Sequence, residues 1–409
     1  MRGGTRVLGA LFVNVNVMRK DWGKVKRVLM AVALVAAGEV FAAEPAKVLV
    51  AKEGAEKLTV SVDVKGHAAF AAGLKRNLAL SGNFLLVARG GAVQVTDGAN
   101  GGVRAVCRGK ALSLPAVAAD AKAARMDARR LADRMCADFA GARGFACDRI
   151  AFVMKRGGGV SELCTCYPDG ADIRQLTSSG HTVVGPRWKD ADTLFYTGIQ
   201  KAGPQVFEYN TATGRNAVKW SFRGLTTGAC VSPDGGRVAI ILSIHGNPEL
   251  YVIDMAAGSW TRLTTTPNAS EGQPSWSPDG RSIVYVSDET RRPNLWVVDV
   301  ATKKKRRLTS QGLQNVDPDW GRDGRIAYVT KRSGGTQIAV ISPAEGDRAA
   351  QLVGRPGGWE HPSWSRDGRH VVAGCDRALW IVDTLAQDPD DPVRLFGNAG
   401  NWITPCWSK

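Results

Sequence analysis

The stretch from Gln273 to Thr309, QPSWSPDGRSIVYVSDETRRPNLWVVDVATKKKRRLT, is one unit of a repeat. Its opening recurs as VSPDGGRVAII from Val231, WGRDGRIAYV from Trp320, WSRDGRHVVAG from Trp364 and WKDADTLFYT from Trp188, and the chain ends on PCWSK with Trp407. The anchors Trp188, Val231, Trp276, Trp320, Trp364 and Trp407 lie 43, 45, 44, 44 and 43 residues apart. A period of this length is that of a four-stranded propeller blade. Pro-Asp-Gly and Arg-Asp-Gly supply the turn: Asp accepts from the backbone two residues on, and Gly adopts positive φ. Short β-rich runs follow. The second is read at Leu163–Cys166, Val206–Tyr209, Leu250–Asp254, Leu295–Asp299, Ile338–Ile341 and Leu379–Asp383, and a third closes on Leu-Thr (Leu176-Thr177, Leu263-Thr264, Leu308-Thr309).

Six first strands are counted, near Ile150, Leu194, Val238, Ile283, Ile326 and Val371. The strand near Ile150 has no Trp motif before it, and the motif at Trp407 has no strand after it. These two half-units complement each other, so the carboxyl end is expected to meet residues 145–155 and close a ring of six blades. Closure also removes exposed strand edges. Asp234, Asp279, Asp323 and Asp367 read first as turn formers. The repeated Trp reads as packing between neighbouring blades.

Ahead of the repeat the period is lost. Lys57–Val64 alternates as a strand. Phe70, Leu74 and Leu78 mark a helix over His67–Leu80, and Leu131, Met135 and Phe139 mark another over Met126–Ala140. Phe84–Val87, Val93–Val95 and Val103–Cys107 are further short strands, and Ala111–Ala124 reads as a loop leading into the last helix. The fold class is therefore mainly β: a six-bladed β-propeller over residues 146–409, preceded by a small α/β domain over 43–145.

The first 42 residues read as a secretory signal. Arg19, Lys20, Lys24, Lys26 and Arg27 precede an apolar run, Val28–Ala37, and small residues follow in VFAAEP, with Met18 a candidate start. Ten apolar residues are too short for a bilayer that needs about 20. Residues 1–42 carry seven Lys+Arg and two Asp+Glu, so export lowers the net charge from +16 to +11 and removes the case for nucleic acid. The five-residue basic run Lys303–Arg307 then reads as a solvated hairpin tip.

These features together resemble the TolB family, the periplasmic propellers of the Tol–Pal envelope system. The likeness is carried by SWSPDG within Glu271–Thr309, by AGLKRNLALSGNFLLV (Ala72–Val87) and by MDARRLADRMCADFAGARGFACDRIAFV (Met126–Val153). What the resemblance implies is a non-enzymatic periplasmic adaptor, monomeric and without cofactor, that serves envelope integrity and constriction during cell division. Its loops before the Pro-x-Trp motifs would ring one channel mouth and face a Pal-like peptidoglycan-associated lipoprotein. By position those residues are Leu225, Gly228, Gly272, Gln273, Asp317, His361 and Thr404. Leu225 stands where the family often has His, and Gln273 where it often has an acid. A TolA-like inner-membrane protein would engage Glu44–Val50.

No catalytic or metal constellation stands out. G-x-S-x-G is absent, and the five His show no metal spacing. Cys164 and Cys166 point to one face of a strand and do not suit a mutual bridge. Cys147 and Cys406 would meet at ring closure and are a candidate disulfide. The alternative reading is a secreted propeller enzyme or carbohydrate- or ligand-binding protein using the central channel.

Overall fold

A computed structural model describes residues 56–386, 392–397 and 400–408. The signal segment and Glu44–Val50 lie outside the described residues. Among the described residues, no helix is long and apolar enough to cross a membrane.

The leading domain is a mixed sheet covered by two helices. Its elements are β1 (Leu58–Asp63), α1 (Ala68–Leu80), β2 (Phe84–Leu86), β3 (Val93–Asp97), β4 (Val103–Cys107), β5 (Lys110–Leu114) and α2 (Ala121–Ala140). The strand order is β2-β1-β3-β4-β5, with β1 parallel to both neighbours and the rest antiparallel. Phe70, Leu74 and Leu78 of α1 and Leu131 and Met135 of α2 enter one core with Val60, Val93 and Ala105. Asp120 caps α2 by accepting from the Lys122 and Ala123 amides, and Gly141 ends the helix in the left-handed region. The expected loop over Ala111–Ala124 is corrected: Gly109 turns the chain so that Lys110–Leu114 pairs with β4, and the helix starts at Ala121.

Six four-stranded sheets follow. Numbered in chain order of their second strands, the blades centre on Ile150–Gly157, Thr193–Gln200, Arg237–Leu242, Ser282–Ser287, Ile326–Arg332 and His370–Cys375. The ring closes as the sequence predicts: Trp402–Trp407 pairs antiparallel with Ile150–Gly157, Trp407 opposite Ile150. One expectation changes. The Trp motif does not precede a blade's first strand, because it is the innermost strand itself. Those six strands are Trp402–Trp407, Thr182–Trp188, Thr226–Val231, Glu271–Trp276, Gln314–Trp320 and Trp359–Trp364, for blades one to six.

The repeated residues do what the turn chemistry demands. Asp234, Asp279, Asp323 and Asp367 each accept from the amide two residues on, at 2.9–3.1 Å. Thr177, Thr264 and Thr309 each accept from the amide of Leu163, Leu250 or Leu295 at 2.9 Å, so Leu-Thr pins the outgoing chain back onto its own blade. Tryptophan joins neighbours: Trp188 Nε1 donates to the Cys406 carbonyl and Trp276 Nε1 to the Cys230 carbonyl. Arg149, Arg237 and Arg325 lie over the rings of Trp188, Trp276 and Trp364 in the following blade, 4.8–5.1 Å from the centroids.

The leading domain is seated on the end of the propeller where the innermost strands finish. Arg129 of α2 is fully buried and pairs with Asp169 at 2.8 Å and Asp172 at 2.9 Å, both in a turn of the first blade, under a Tyr167 ring at 3.9 Å. Arg76 of α1 donates to the Asp169, Arg394 and Leu395 carbonyls. From the sixth blade, Arg369 reaches the Gly82 carbonyl and the Asn83 side chain. Leu80 and Phe145 complete the joint by packing into one cluster with Ile150, Leu395 and Trp407. Among the described residues, the opposite end of the channel carries no such domain.

Candidate functional site

The innermost strands share a distortion that builds the channel wall. Three residues before each anchor, one residue has positive φ: Gly185 (57°), Gly228 (70°), Gln273 (52°), Asp317 (55°), His361 (48°) and Thr404 (47°). Next comes proline in five blades (Pro186, Pro274, Pro318, Pro362, Pro405) and Ala229 in the sixth case. Innermost strands have a free channel-side edge, which is where a sheet tolerates proline's missing donor. In all six blades the pairing with the second strand slips across this pair, as between Gly272 and Ser275, Val316 and Asp319 or, in the second blade, Val184 and Arg187. Each is a β-bulge of the kind found beside functional surfaces. For Gln273, Asp317, His361 and Thr404 the left-handed region costs about 1–2 kcal/mol each, and a β-branched residue such as Thr404 is a genuine outlier there.

Five of the seven sequence-predicted rim residues, Gly228, Gln273, Asp317, His361 and Thr404, therefore occupy one structural position. Gly272 is the residue before it in the fourth blade. Leu225 lies in the connection ahead of the third blade's innermost strand, where its amide donates to Ser243 Oγ at 2.7 Å. These positions thus lie in innermost strands and not in the loops before them, and Asp317 and Thr404 are buried. The sixth member, Gly185, was not among the predicted residues, although Gly-Pro three residues before Trp188 repeats the spacing.

Side chains bridge neighbouring blades along part of this ring. Gln273 Oε1 accepts from the Asp317 amide at 3.0 Å, and Gln273 Nε2 donates to Asp317 Oδ1. Asp317 Oδ2 accepts from the His361 amide at 3.0 Å, and its other oxygen lies 3.1 Å from His361 Nδ1. Burial on its own would raise the Asp317 carboxyl, but the charge and hydrogen bonds of His361 hold it below the usual carboxylate range. The partner responds oppositely: burial would lower the His361 imidazole, and the Asp317 charge and hydrogen bond raise it.

A second ring sits one residue before the anchors: Arg187, Cys230, Ser275, Asp319, Ser363 and Cys406. Ser275 accepts from the Trp320 amide at 2.9 Å, Asp319 from the Trp364 amide at 2.8 Å and Ser363 from the Trp407 amide at 3.1 Å. Burial works against the Arg187 charge, but Cys406, Asp319 and Cys230 raise its pKa. All eight cysteines are free thiols, which corrects the Cys147–Cys406 candidate. Cys406 belongs to the channel wall, whereas the Cys147 amide is held by Asp133 at the domain joint. Among the described residues, no three His, Cys, Asp or Glu side chains are grouped to hold a metal ion.

Residues 137–409 match the sequence model of the family PD40, described as the TolB beta propeller domain. The chain belongs to this TolB propeller family. Among curated proteins, Tol-Pal system protein TolB of Gluconobacter oxydans (strain 621H) is 27% identical over 149 residues, which is 36% of this chain. That match spans only 33% of the relative's own length. Among solved structures, TolB from Acinetobacter baumannii superposes with a TM-score of 0.72 at 22% identity, over 88% of this chain and 98% of that one. Hydrazine synthase of Kuenenia stuttgartiensis aligns at 0.51 and 14% identity, over 64% of this chain and 46% of that one. At these identities both structures show likeness of fold alone. The TolB-like architecture of six blades behind a small α/β domain is the one this chain adopts.

Proposed function

We propose that this TolB-like protein is a periplasmic, non-enzymatic adaptor of a Tol–Pal-type system, holding a Pal-like peptidoglycan-associated lipoprotein over the free mouth of its channel. Leu225, Gly228, Gly272, Gln273, Asp317, His361 and Thr404 are the contact residues in this reading. Glu44–Val50 engages a TolA-like inner-membrane protein, and the assembly serves envelope integrity during division. The observation that carries the reading is the rim itself. Six bulges at one position, four of them strained by a non-glycine residue, keep a fixed backbone ring while the side chains differ from blade to blade, as a recognition surface on a rigid scaffold requires. The leading domain is seated at the other end, against the first and sixth blades, so among the described residues the free mouth is the one with no domain beside it.

The experiment is titration calorimetry of the mature chain with the soluble domain of an OmpA-like peptidoglycan-binding lipoprotein from the same cells. A saturable one-to-one complex is the expected result. No complex with any such lipoprotein, together with turnover of a sugar or peptide, overturns the reading in favour of a secreted propeller enzyme.

A further inference from the structure

The ring of left-handed residues is bridged along one half only. From the fourth blade to the sixth, Gln273 and Asp317 each accept the amide of the next blade's left-handed residue. Past His361 the bridging stops. His361 spends Nδ1 on Asp317, Thr404 is short, and Gly185 and Gly228 have no side chain. Among the described residues, the amides of Thr404, Gly185, Gly228 and Gln273 receive no side chain from the preceding blade. Two polar atoms at this boundary, His361 Nε2 and Thr404 Oγ1, are buried with no hydrogen-bond partner, and Thr404 is 3% exposed. Such an atom costs about 1–3 kcal/mol, and a polar group that reaches it relieves that cost. Gly185, by contrast, is exposed.

We propose that the open half of the ring, from His361 through Thr404 and Gly185 to Gly228, is the part of the rim that receives the partner, and that it binds a carboxylate side chain of that partner. The inference rests on the adaptor reading above and specifies its contact. The closed half of the molecule shows which group fits: Asp317 meets the same geometry with a carboxylate that takes a neighbouring amide and an imidazole nitrogen. In the open half the groups offered are mainly donors. They are the backbone amides, the Thr404 hydroxyl and, with its imidazole charged against Asp317, His361 Nε2–H. An incoming carboxylate completes there what Asp317 completes on the other side. Gln273, Asp317 and His361 Nδ1 then act chiefly as the rigid support, and the contacts shift towards Gly185.

The test closes the open half from within. A Cβ at Gly185 meets nothing within 4 Å, and one at Gly228 meets Pro274 at 3.4 Å. Asn tolerates the left-handed region, so Gly185→Asn and Gly228→Asn place an amide oxygen where Asp317 has its carboxylate. Gly214→Ala controls for backbone strain, because Gly214 also has positive φ and room for a Cβ but lies in an outer turn of the second blade, away from the ring. The two Asn variants are expected to weaken binding of the soluble lipoprotein domain at least tenfold while Gly214→Ala binds as the parent does. Acetate titrated into the mature chain is expected to shift the amide resonances of Thr404, Gly185 and Gly228 and to leave that of Asp317 in place. Undiminished binding by both Asn variants, an equal loss in Gly214→Ala, or acetate shifts confined to other residues each overturn the proposal. A parent that binds no such lipoprotein overturns the adaptor reading instead, and the acetate shifts then decide the carboxylate site alone.

Discussion

The two ends of the channel use charge in opposite ways. At the end carrying the leading domain, the cation Arg129 is fully desolvated and held by two carboxylates at once, with Arg125, Arg76 and Arg369 around it. At the free end, one buried pair, Asp317 with His361, stiffens part of the rim; buried polar atoms without a hydrogen-bond partner occur at both ends, Thr404 Oγ1 and His361 Nε2 here and Arg129 Nη1 and Asn77 Oδ1 at the joint. Breaking a buried pair leaves a stranded charge and is expensive, so the first end fixes two bodies in one arrangement. The free end keeps its buried pair within the ring of blades, where it stiffens the channel wall and joins no second body.

The largest expected effect tests the first end. Arg129→Ala strands Asp169 and Asp172 and is expected to cost about 3–5 kcal/mol, read from the urea midpoint of the mature chain. A loss below about 1 kcal/mol would show that the joint relaxes and the two ends are alike. At the free end, Asp317→Ala removes the acceptor for the His361 amide and the charge beside its ring. About 1–3 kcal/mol is expected, smaller than at the joint, and the same denaturation series decides the order.

Dependence on pH sharpens the contrast. His361 is raised in the folded state, so its contribution is complete below its unfolded value near 6.5 and fades as pH rises through the folded value. Asp317 is lowered, so its contribution is present above the unfolded value near 3.9 and fades as pH falls through the folded one. Between those limits both hold, with Glu360 and Arg187 the other charges facing the imidazole. His361→Gln is therefore expected to lower the thermal midpoint more at pH 6 than at pH 9; an equal loss at both would exclude the charged pair. The smallest effect belongs to the surface: the exposed Lys110–Asp138 pair contributes at most about 0.5 kcal/mol, so Lys110→Ala should leave the urea midpoint almost unchanged.

The propeller was legible because its signals are local and repeat. Asp and Gly at Asp279-Gly280 act on their own backbone, and Trp276 packs on the preceding blade at a constant register. The rim was half legible. Gln273, Asp317, His361 and Thr404 stand at a fixed distance from tryptophan, but Gly185 looks like an ordinary turn residue until its φ is seen to match theirs. In the sequence the innermost strands look like lead-in segments, because proline and left-handed residues are what strand patterns exclude. Lys110–Leu114 was missed because five residues between Gly109 and Pro115 leave too little alternation. Least visible was the joint. Arg129 reads as a solvent-facing helix residue, and only the tertiary fold brings it to Asp169 and Asp172, some 40 residues on.

Ring closure has a kinetic side. The Arg149 amide bonds Ser408, 259 residues away, and the strand ending at Trp407 completes the blade that begins at Ile150. Pairings this distant are slow to form, since chain entropy is lost before any contact rewards it. Until residues 402–407 arrive, the first blade presents an unpaired strand edge, the kind of surface that recruits other chains. A chain truncated before Trp402 should accordingly aggregate during refolding in proportion to its concentration, and a peptide spanning residues 400–408 added in excess should suppress that loss.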